Sequence, residues 1–216
     1  MSRAKEMFET DIYCLTGEKF SLKRSNITVV QKMLDAGVKI IQYREKDKAP
    51  AKKYQQCVVI RKLTREAGAW FIVNDDVELA KLVKADGVHV GQGDMPIKEV
   101  REIVGPDMII GLSTHSPEEA QKAVADGADY IGVGPIFPTE TKEDVCDAVG
   151  FEYLNYVAEN IDIPFVAIGG IKDHNVAEVV RQGASCVAMV TEIVGVRDIE
   201  AKVKEIRKIM QEAGGK

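Results

Sequence analysis

The sequence predicts a single-domain (β/α)8 TIM barrel, and three observations support this prediction. Longer stretches with apolar residues at helical spacing separate short runs of consecutive apolar residues. Three junctions, at 35–38, 126–129 and 182–185, place a glycine where a helix is expected to end before the next run. The 216-residue chain contains eight such runs, at 12–15, 38–43, 70–73, 87–90, 108–112, 130–133, 164–168 and 185–190.

The apolar runs are typical of parallel strands that helices cover on both faces, because they are continuous rather than alternating. Eight strand–helix units fit a closed barrel, which often forms one domain of more than about 200 residues. We therefore assign residues 1–216 to one domain, with about 1–10 as an N-terminal extension. An open doubly wound sheet is the alternative, but no G-x-G-x-x-G pattern follows the first run.

Several of the predicted helices have recognisable start signals. Pro50 suits the first turn of a helix, and Ser116 precedes a proline and two glutamates in a capping pattern. Asp198 is placed to cap the last helix. Apolar stripes within 27–34 and 151–158 predict two more helices between the strands.

Composition excludes several classes of function. The net charge is −5 and no stripe of lysine or arginine occurs, so we expect no nucleic-acid partner. No apolar run approaches the roughly 20 residues of a membrane helix, and the charged residues 1–10 do not resemble a signal peptide. Four scattered cysteines without a C-x-x-C pair predict a cytoplasmic protein with free thiols. A homo-oligomer is possible.

The functional groups of such a barrel lie at the carboxyl ends of its strands. The opposite loops of this chain are mostly glycine turns and helix ends. Charged, hydroxyl and amide residues instead follow the predicted strands, at 42–46, 74–76, 89–94, 113–115, 134–142, 169–171 and 190–192.

Two aspartates indicate a site for a divalent cation. Asp75 and Asp94 follow neighbouring strands and could face each other across the barrel mouth. Two carboxylates, together with waters and substrate phosphates, suit Mg²⁺. Each aspartate could instead cap the helix that follows it, although Asp76 could take that role and leave Asp75 free.

A cation clamp is predicted after the second strand. Gln42, Arg44 and Lys46 alternate along an extended segment, so their side chains share one side. If they point inward, Arg44 and Lys46 would bind a diphosphate, which arginine can hold bidentately. The alternative is a surface strand end that is ion-paired with Glu45 and Asp47.

Two further segments suit an anion. The loop 134–142 carries Thr139, Thr141 and Lys142, although it could also be an ordinary surface loop. Gly169-Gly170 follows the seventh strand, the usual phosphate position of such barrels, and glycines there let backbone N–H groups approach a ligand. A tight turn is the alternative explanation for that pair.

The three histidines do not suggest a catalytic triad, because no serine or cysteine pairs with them at a recognisable spacing. His89 either lines the mouth or lies in the core, His115 follows the fifth strand, and His174 begins a helix. The absence of a clear nucleophile favours a reaction driven by positioning and electrostatics.

In their order and approximate spacing, these segments resemble the thiamine phosphate synthase family. The resemblance extends from about residue 12 to the last helix. It implies a (β/α)8 barrel that joins a hydroxymethylpyrimidine diphosphate to a thiazole phosphate, giving thiamine phosphate and pyrophosphate. It also implies two small phosphorylated substrates, Mg²⁺, and a dissociative, carbocation-like substitution. The segments that carry it are 42–46, 74–75, 89–94, 134–142 and 169–171.

The resemblance further implies roles for individual residues. Gln42 would contact the aminopyrimidine, and Asp75 and Asp94 would bind Mg²⁺. The diphosphate would be held by Arg44, Lys46, Asn74, Ser113 and Lys142. Of these, the groups that would act catalytically on the leaving group are Arg44, Lys46 and Lys142. The thiazole phosphate would be held by Thr139, Thr141, Gly170, Val190 and Thr191.

One position departs from the family. Thr191-Glu192 stands where a Ser-Ala pair is frequent, so Glu192 either points away from the phosphate or the second-substrate site differs. A thiazole tautomerase-like paralogue and a non-catalytic sensor of a phosphate ligand are the alternative functions. The paralogue is not expected to carry the complete set Arg44, Lys46, Asp75, Asp94 and Lys142, all of which are present.

Overall fold

Eight parallel strands close into a barrel in sequence order, in a computed structural model that describes residues 2–141 and 146–214. The (β/α)8 prediction is thereby confirmed. The strands are β1 Ile12–Leu15, β2 Ile40–Tyr43, β3 Trp70–Asn74, β4 Gly87–Val90, β5 Ile109–Thr114, β6 Tyr130–Val133, β7 Phe165–Ile168 and β8 Val187–Met189.

Helices follow each strand and surround the barrel, and a 3-10 turn, Glu18–Phe20, follows β1. No helix in the described ranges is both long and apolar enough to span a membrane. The helices are α1 Arg3–Met7, α2 Asn26–Asp35, α3 Pro50–Glu66, α4 Val77–Leu82, α5 Ile97–Val104, α6 Pro117–Asp126, α7 Gly150–Asn160, α8 Val176–Arg181, α9 Thr191–Val194 and α10 Ile199–Glu212.

The strand bounds differ from the apolar runs at a few ends. The run 185–190 is a strand only over β8, whereas β5 extends beyond the run 108–112. Ser113 and Thr114 pair with Gly132 and Val133 of β6, because ladder pairing, not hydrophobicity, decides where a strand ends. Polar side chains can therefore belong to the strand and still face the barrel mouth.

The local signals at helix ends are confirmed. Ser116 and Asp198 cap α6 and α10 by accepting hydrogen bonds from backbone N–H groups. The junction glycines Gly37, Gly127 and Gly183 have φ values of 75°, 91° and 99°, in the left-handed region that glycine adopts without steric cost. Each helix can therefore stop and turn directly into the next strand.

The buried residues form two cores, one inside the barrel and one between the barrel and the helices. Helix α1 closes the bottom of the inner core, where Ala4 and Met7 are buried. The Phe8 ring lies 5.1 Å from the Tyr130 ring. The inner core is formed by Ala4, Met7, Tyr13, Leu15, Ile40, Ile72, Ile109, Tyr130, Val166, Cys186 and Ala188.

Ion pairs reinforce the bottom of the barrel, opposite the mouth. Asp86, just before β4, accepts two hydrogen bonds from the Arg61 guanidinium at 2.6 and 2.9 Å and a third from the Phe71 N–H at 2.9 Å. Two further aspartates before strands are held in the same way by arginines of α5 and α10. These pairs are Asp129 with Arg101 and Asp11 with Arg207.

Replacing Asp86 with alanine should lower the free energy of unfolding by about 2–4 kcal/mol, because the Arg61 guanidinium and the Phe71 N–H lose a largely buried partner. Urea unfolding measures the change. Glu66→Ala is the matched control, since Glu66 pairs with Lys62 at 3.8 Å on an exposed helix surface and should contribute less than about 0.5 kcal/mol. Equal losses in the two variants would contradict the structural role of Asp86.

Candidate active site

A cavity of about 640 Å³ opens at the carboxyl ends of the strands. Lys142 lies outside the described residues, and every other residue predicted for the site lines this cavity. Those residues are Gln42, Arg44, Lys46, Asn74, Asp75, Asp94, Ser113, Thr139, Thr141, Gly170, Val190 and Thr191.

A row of hydrogen-bonded side chains forms the floor of the cavity. Gln42 Nε2 donates to the Tyr13 hydroxyl at 2.8 Å, and the hydroxyls of Tyr13 and Tyr130 are 2.9 Å apart. His89 Nδ1 lies 2.9 Å from the Tyr130 hydroxyl, and its Nε2 lies 3.0 Å from Ser113 Oγ. His89 therefore both lines the mouth and belongs to the core, being 8 % exposed.

Burial determines which groups of this row carry protons and which lack a hydrogen-bond partner. Desolvation raises the pKa of Tyr13 and of Tyr130, so both hydroxyls keep their protons. The Gln42 side chain is 3 % exposed, and its Oε1 has no hydrogen-bond partner within the described part of the chain. A buried acceptor left unpaired at a cavity wall is available to an N–H group of a ligand.

The cation clamp is held in place by a buried threonine. Thr16 Oγ1 accepts a hydrogen bond from the Arg44 N–H at 2.8 Å, just beyond the end of β2. Glu45 turns away from the cavity and accepts from the Glu18 N–H at 2.8 Å. Arg44 and Lys46 both line the cavity, so the surface ion pair with Glu45 is not the arrangement found.

The two predicted metal ligands face each other. Asp76 caps α4 through the Leu79 N–H at 2.9 Å, which leaves Asp75 free of that role. Asp94 does not cap α5 either, since Pro96 holds that position, and it accepts instead from the Gly91 N–H at 2.7 Å. Neither aspartate is a helix cap, and both line the cavity.

The carboxylates of Asp75 and Asp94 repel each other. Burial and the nearby Asp94 carboxylate raise the pKa of Asp75, and Lys46, 3.6 Å from Asp75, opposes the shift. Among the described residues no cluster of three or more His, Cys, Asp and Glu side chains forms a complete metal cage. Two carboxylates beside an open cavity fit Mg²⁺, which keeps waters or phosphate oxygens as its other ligands.

The loop after β6 packs tightly against the turn after β7. A Cβ atom on Gly169 would lie 2.4 Å from Pro135 Cα, and one on Gly170 would lie 2.7 Å from the Pro138 carbonyl oxygen. The glycines thus allow close approach of a neighbouring loop, a reason that the sequence alone did not supply. Their φ values of 98° and 65° also favour glycine.

Two threonines and one lysine complete this side of the cavity. Thr139 and Thr141 lie with their hydroxyl oxygens 3.2 Å apart. Lys172, which sequence reasoning missed, also lines the cavity. Asn175 fixes the backbone between them and the strand, since its side chain donates to Gly170 at 3.0 Å and accepts from the Lys172 N–H at 2.7 Å.

Glu192 points away from the cavity. Its carboxylate lies 3.4 Å from Lys202 Nζ, and Lys202 also binds Asp173 and Glu205 at 2.8 Å. These three carboxylates raise the pKa of Lys202, so the lysine stays protonated. Of the two alternatives for Glu192, the structure supports the first, and Thr191 is left as the cavity-facing member of the pair.

The other histidines differ in their surroundings. His115 lines the cavity, and its Nδ1 lies 3.0 Å from Glu119. His174 is exposed beside Asp173, 3.4 Å away. The histidine that does contact a serine is His89, 3.0 Å from Ser113 Oγ, a pairing that the spacing in the sequence did not indicate.

Several known proteins resemble this chain over nearly its whole length. Residues 12–193 match the family model for thiamine monophosphate synthase. A thiamine-phosphate synthase from Pelotomaculum thermopropionicum is 61 % identical over 204 residues, 94 % of each chain. One from Caldicellulosiruptor saccharolyticus is 54 % identical over 217 residues, 98 % of each. A solved thiamine phosphate pyrophosphorylase from Pyrococcus furiosus superposes with a TM-score of 0.86 and 38 % identity, covering 95 % of this chain and 97 % of that one.

Asp75→Asn should stabilise the protein in chelator, because it removes one of two repelling carboxylates and because asparagine tolerates the positive φ of 62° at this position. The gain should stay below about 1 kcal/mol, since 33 % of the side chain is exposed to solvent screening. A carboxyl with a raised folded-state pKa costs stability once it ionises. The gain should therefore be small near pH 4, the unfolded pKa, and grow toward about pH 7.

Urea unfolding of the two proteins at about pH 4.5 and pH 7 measures this difference. Asp76→Asn is the matched control, because asparagine preserves the helix cap and removes no repelling charge. A gain for Asp75→Asn that shrinks as the pH rises would contradict the repulsion.

Proposed function

The chain belongs to the thiamine monophosphate synthase family, and we propose that it couples 4-amino-2-methyl-5-(diphosphomethyl)pyrimidine with 4-methyl-5-(2-phosphoethyl)thiazole. The products are thiamine phosphate and pyrophosphate, so the enzyme is a transferase. One observation carries the proposal. A single cavity is lined by cations, an aspartate pair and a second, hydroxyl-rich wall, and its volume lies within the range of sites for small ligands.

The pyrimidine diphosphate is bound by the wall formed by β2 to β5. Gln42 accepts a hydrogen bond from the exocyclic amino group through its unpaired Oε1. Arg44 and Lys46 bind the diphosphate oxygens, with support from Asn74, Ser113 and, by family resemblance, Lys142. The breaking C–O bond would then lie between the aminopyrimidine and the cations.

The reaction is a dissociative substitution. The C–O bond of the methylene breaks, and its electron pair leaves with the pyrophosphate. The resulting methylene cation is stabilised by the electron-rich aminopyrimidine, and the lone pair of the thiazole nitrogen then forms the new C–N bond. Arg44 and Lys46 accelerate the first step because they neutralise the charge that develops on the leaving group.

Asp75 and Asp94 would hold Mg²⁺. Bound there, the ion would add positive charge against the diphosphate oxygens. The repulsion that raises the pKa of Asp75 supports this assignment, because a divalent cation between the carboxylates would relieve it. Lys46, 3.6 Å from Asp75, would bind the leaving group beside the ion.

The thiazole phosphate is bound on the opposite wall. Thr139, Thr141 and Thr191 offer hydroxyl groups, and the backbone at Gly170 and Val190 borders the same space. With Glu192 drawn to Lys202, no carboxylate of that helix opposes the phosphate. The thiazole nitrogen would then approach the methylene from the side away from the diphosphate.

We also propose that the protein acts in the cytoplasm. Cys14, Cys57, Cys146 and Cys186 are all free thiols. Unpaired cysteines are typical of a reducing compartment.

Pyrophosphate release by the purified protein should require both substrates and Mg²⁺, and chelator should abolish it. Asp94→Asn should lower kcat/KM by about 10²-fold or more, because the charge on the leaving group is then poorly neutralised, and it should weaken the response to added Mg²⁺. Asp107→Asn, an exposed aspartate at the bottom of the barrel, is the matched control. If the wild type releases no pyrophosphate, the proposed activity is refuted. If the activity of Asp94→Asn responds to added Mg²⁺ as the wild type does, the metal site is refuted.

Thr191→Val should raise the KM for the thiazole phosphate about tenfold, because it removes a hydroxyl hydrogen bond to a charged group. The KM for the pyrimidine diphosphate should change less than about twofold, because that substrate lies on the other wall. Steady-state kinetics with each substrate varied in turn separates the two effects. Thr28→Val, an exposed helix position, is the control. Equal changes in both KM values would contradict the assignment of the two walls.

A further inference from the structure

The row of side chains on the cavity floor connects the two ends of one substrate. It runs from Gln42 through Tyr13, Tyr130 and His89 to Ser113. We infer that the hydrogen bonds of this row all point from Gln42 toward Ser113, and that Tyr13, Tyr130 and His89 act as positioning residues that select an aminopyrimidine. The inference rests on the proposed function and adds a determinant of specificity that acts through the orientation of Gln42.

Two arrangements of protons satisfy the row internally. In the first, Gln42 donates to Tyr13, Tyr13 to Tyr130, Tyr130 to His89 Nδ1, and His89 Nε2–H to Ser113. In the second, every bond is reversed, the Gln42 amide is turned over, and Ser113 donates into the row. The row is therefore a two-state element whose ends present opposite hydrogen-bonding groups to the cavity.

Contacts at both ends favour the first arrangement. The Gln42 amide lies with Nε2, a donor only, 2.8 Å from the Tyr13 hydroxyl. At the other end, the oxygens of a diphosphate only accept hydrogen bonds, so Ser113 must donate to them and accept from His89. Gln42 Oε1, the amide atom that has no partner among the described residues, then accepts from an N–H group of the ligand. Recognition of the amino group and of the leaving group is coupled through the row.

The row can cross the barrel because one residue beneath it has no side chain. Gly111 on β5 pairs with His89 on β4 and with Tyr130 on β6. A Cβ atom on Gly111 would lie 2.2 Å from Tyr130 Cζ and 2.5 Å from His89 Nδ1. The imidazole and the phenol therefore meet in the space above Gly111.

The orientation has a chemical consequence for the ligand. A pyrimidine with a 4-amino group offers an N–H to Gln42 Oε1, whereas its 4-oxo counterpart would set two acceptors against each other. An unsatisfied buried contact of that kind typically lowers affinity about 10- to 100-fold. The row thus favours the amino compound before any chemical step.

Tyr130→Phe tests the inference because it cuts the row in the middle. Tyr13 then loses its acceptor and can donate to Gln42 Oε1 once the amide turns over, so Nε2 faces the cavity. We expect the wild type to bind 4-amino-2-methyl-5-hydroxymethylpyrimidine at least about tenfold more tightly than the 4-oxo compound, and this ratio to fall at least about tenfold in the variant. Calorimetry with both unreactive alcohols gives the ratio, and their inhibition of pyrophosphate release gives it again.

Two further variants make the result decisive. Tyr13→Phe removes the acceptor of Gln42 Nε2 and should also reduce the ratio, which covers the case in which Tyr130→Phe does not fold. Tyr153→Phe is the control, since it removes a buried hydroxyl that donates to Thr114 at 2.6 Å outside the row, and the ratio should not change.

Separate results bear on the two proposals. A wild type that releases no pyrophosphate refutes the proposed coupling reaction, while the calorimetric ratio still tests the row. An unchanged ratio in a folded Tyr130→Phe or Tyr13→Phe protein overturns the row as the determinant. Equal binding of the 4-amino and 4-oxo pyrimidines by the wild type would also overturn it.

Discussion

Closure of the sheet between β1 and β8 is the constraint on which the rest of the structure depends. In an open sheet of the same strand order, β1 and β6 would lie five strands apart, about 24 Å at the usual strand spacing. In the barrel the hydroxyls of Tyr13 on β1 and Tyr130 on β6 are 2.9 Å apart across the interior. Closure also brings all eight carboxyl ends to one rim. The cavity, its opposed walls and the row on its floor are consequences of that geometry.

The two ends of the barrel use polar groups in opposite ways. At the bottom, Asp86 fills its acceptor sites with Arg61 and a strand N–H, which stabilises the strand entrance. At the mouth, Gln42 Oε1 is buried without a partner among the described residues, and Asp75 lies against Asp94. Such unsatisfied groups lower the stability of the folded protein. In the proposed reaction, the pyrimidine diphosphate and its metal ion would supply their missing partners.

The sequence predicted the fold and the rim of the site because both follow from patterns along the chain. Apolar runs mark strands, and the rule that function collects at their carboxyl ends identified the residues that line the cavity. The sequence indicated Gln42, His89 and Ser113 of the floor but not its two tyrosines, because strands buried on both faces do not show which side chains point inward. Tyr13 and Tyr43 lie in similar runs, yet Tyr13 faces the interior and Tyr43 bonds Gln56 of α3. Likewise, the close packing of Gly169 against Pro135 joins loops that are distant in sequence.

Glu192 shows why the sign of a residue's charge does not by itself decide its effect on a neighbouring site. Its carboxylate would oppose a phosphate if it faced the cavity, but Lys202 of α10 holds it outside together with Asp173. Lys172, in contrast, lines the cavity, and no carboxylate of the described residues forms an ion pair with it. Lys172 is thus a cation of this wall, and Glu140 is the acid that lines the cavity beside it. Which charges face this wall depends on the direction of side chains from separate helices and loops, which no spacing in the sequence encodes.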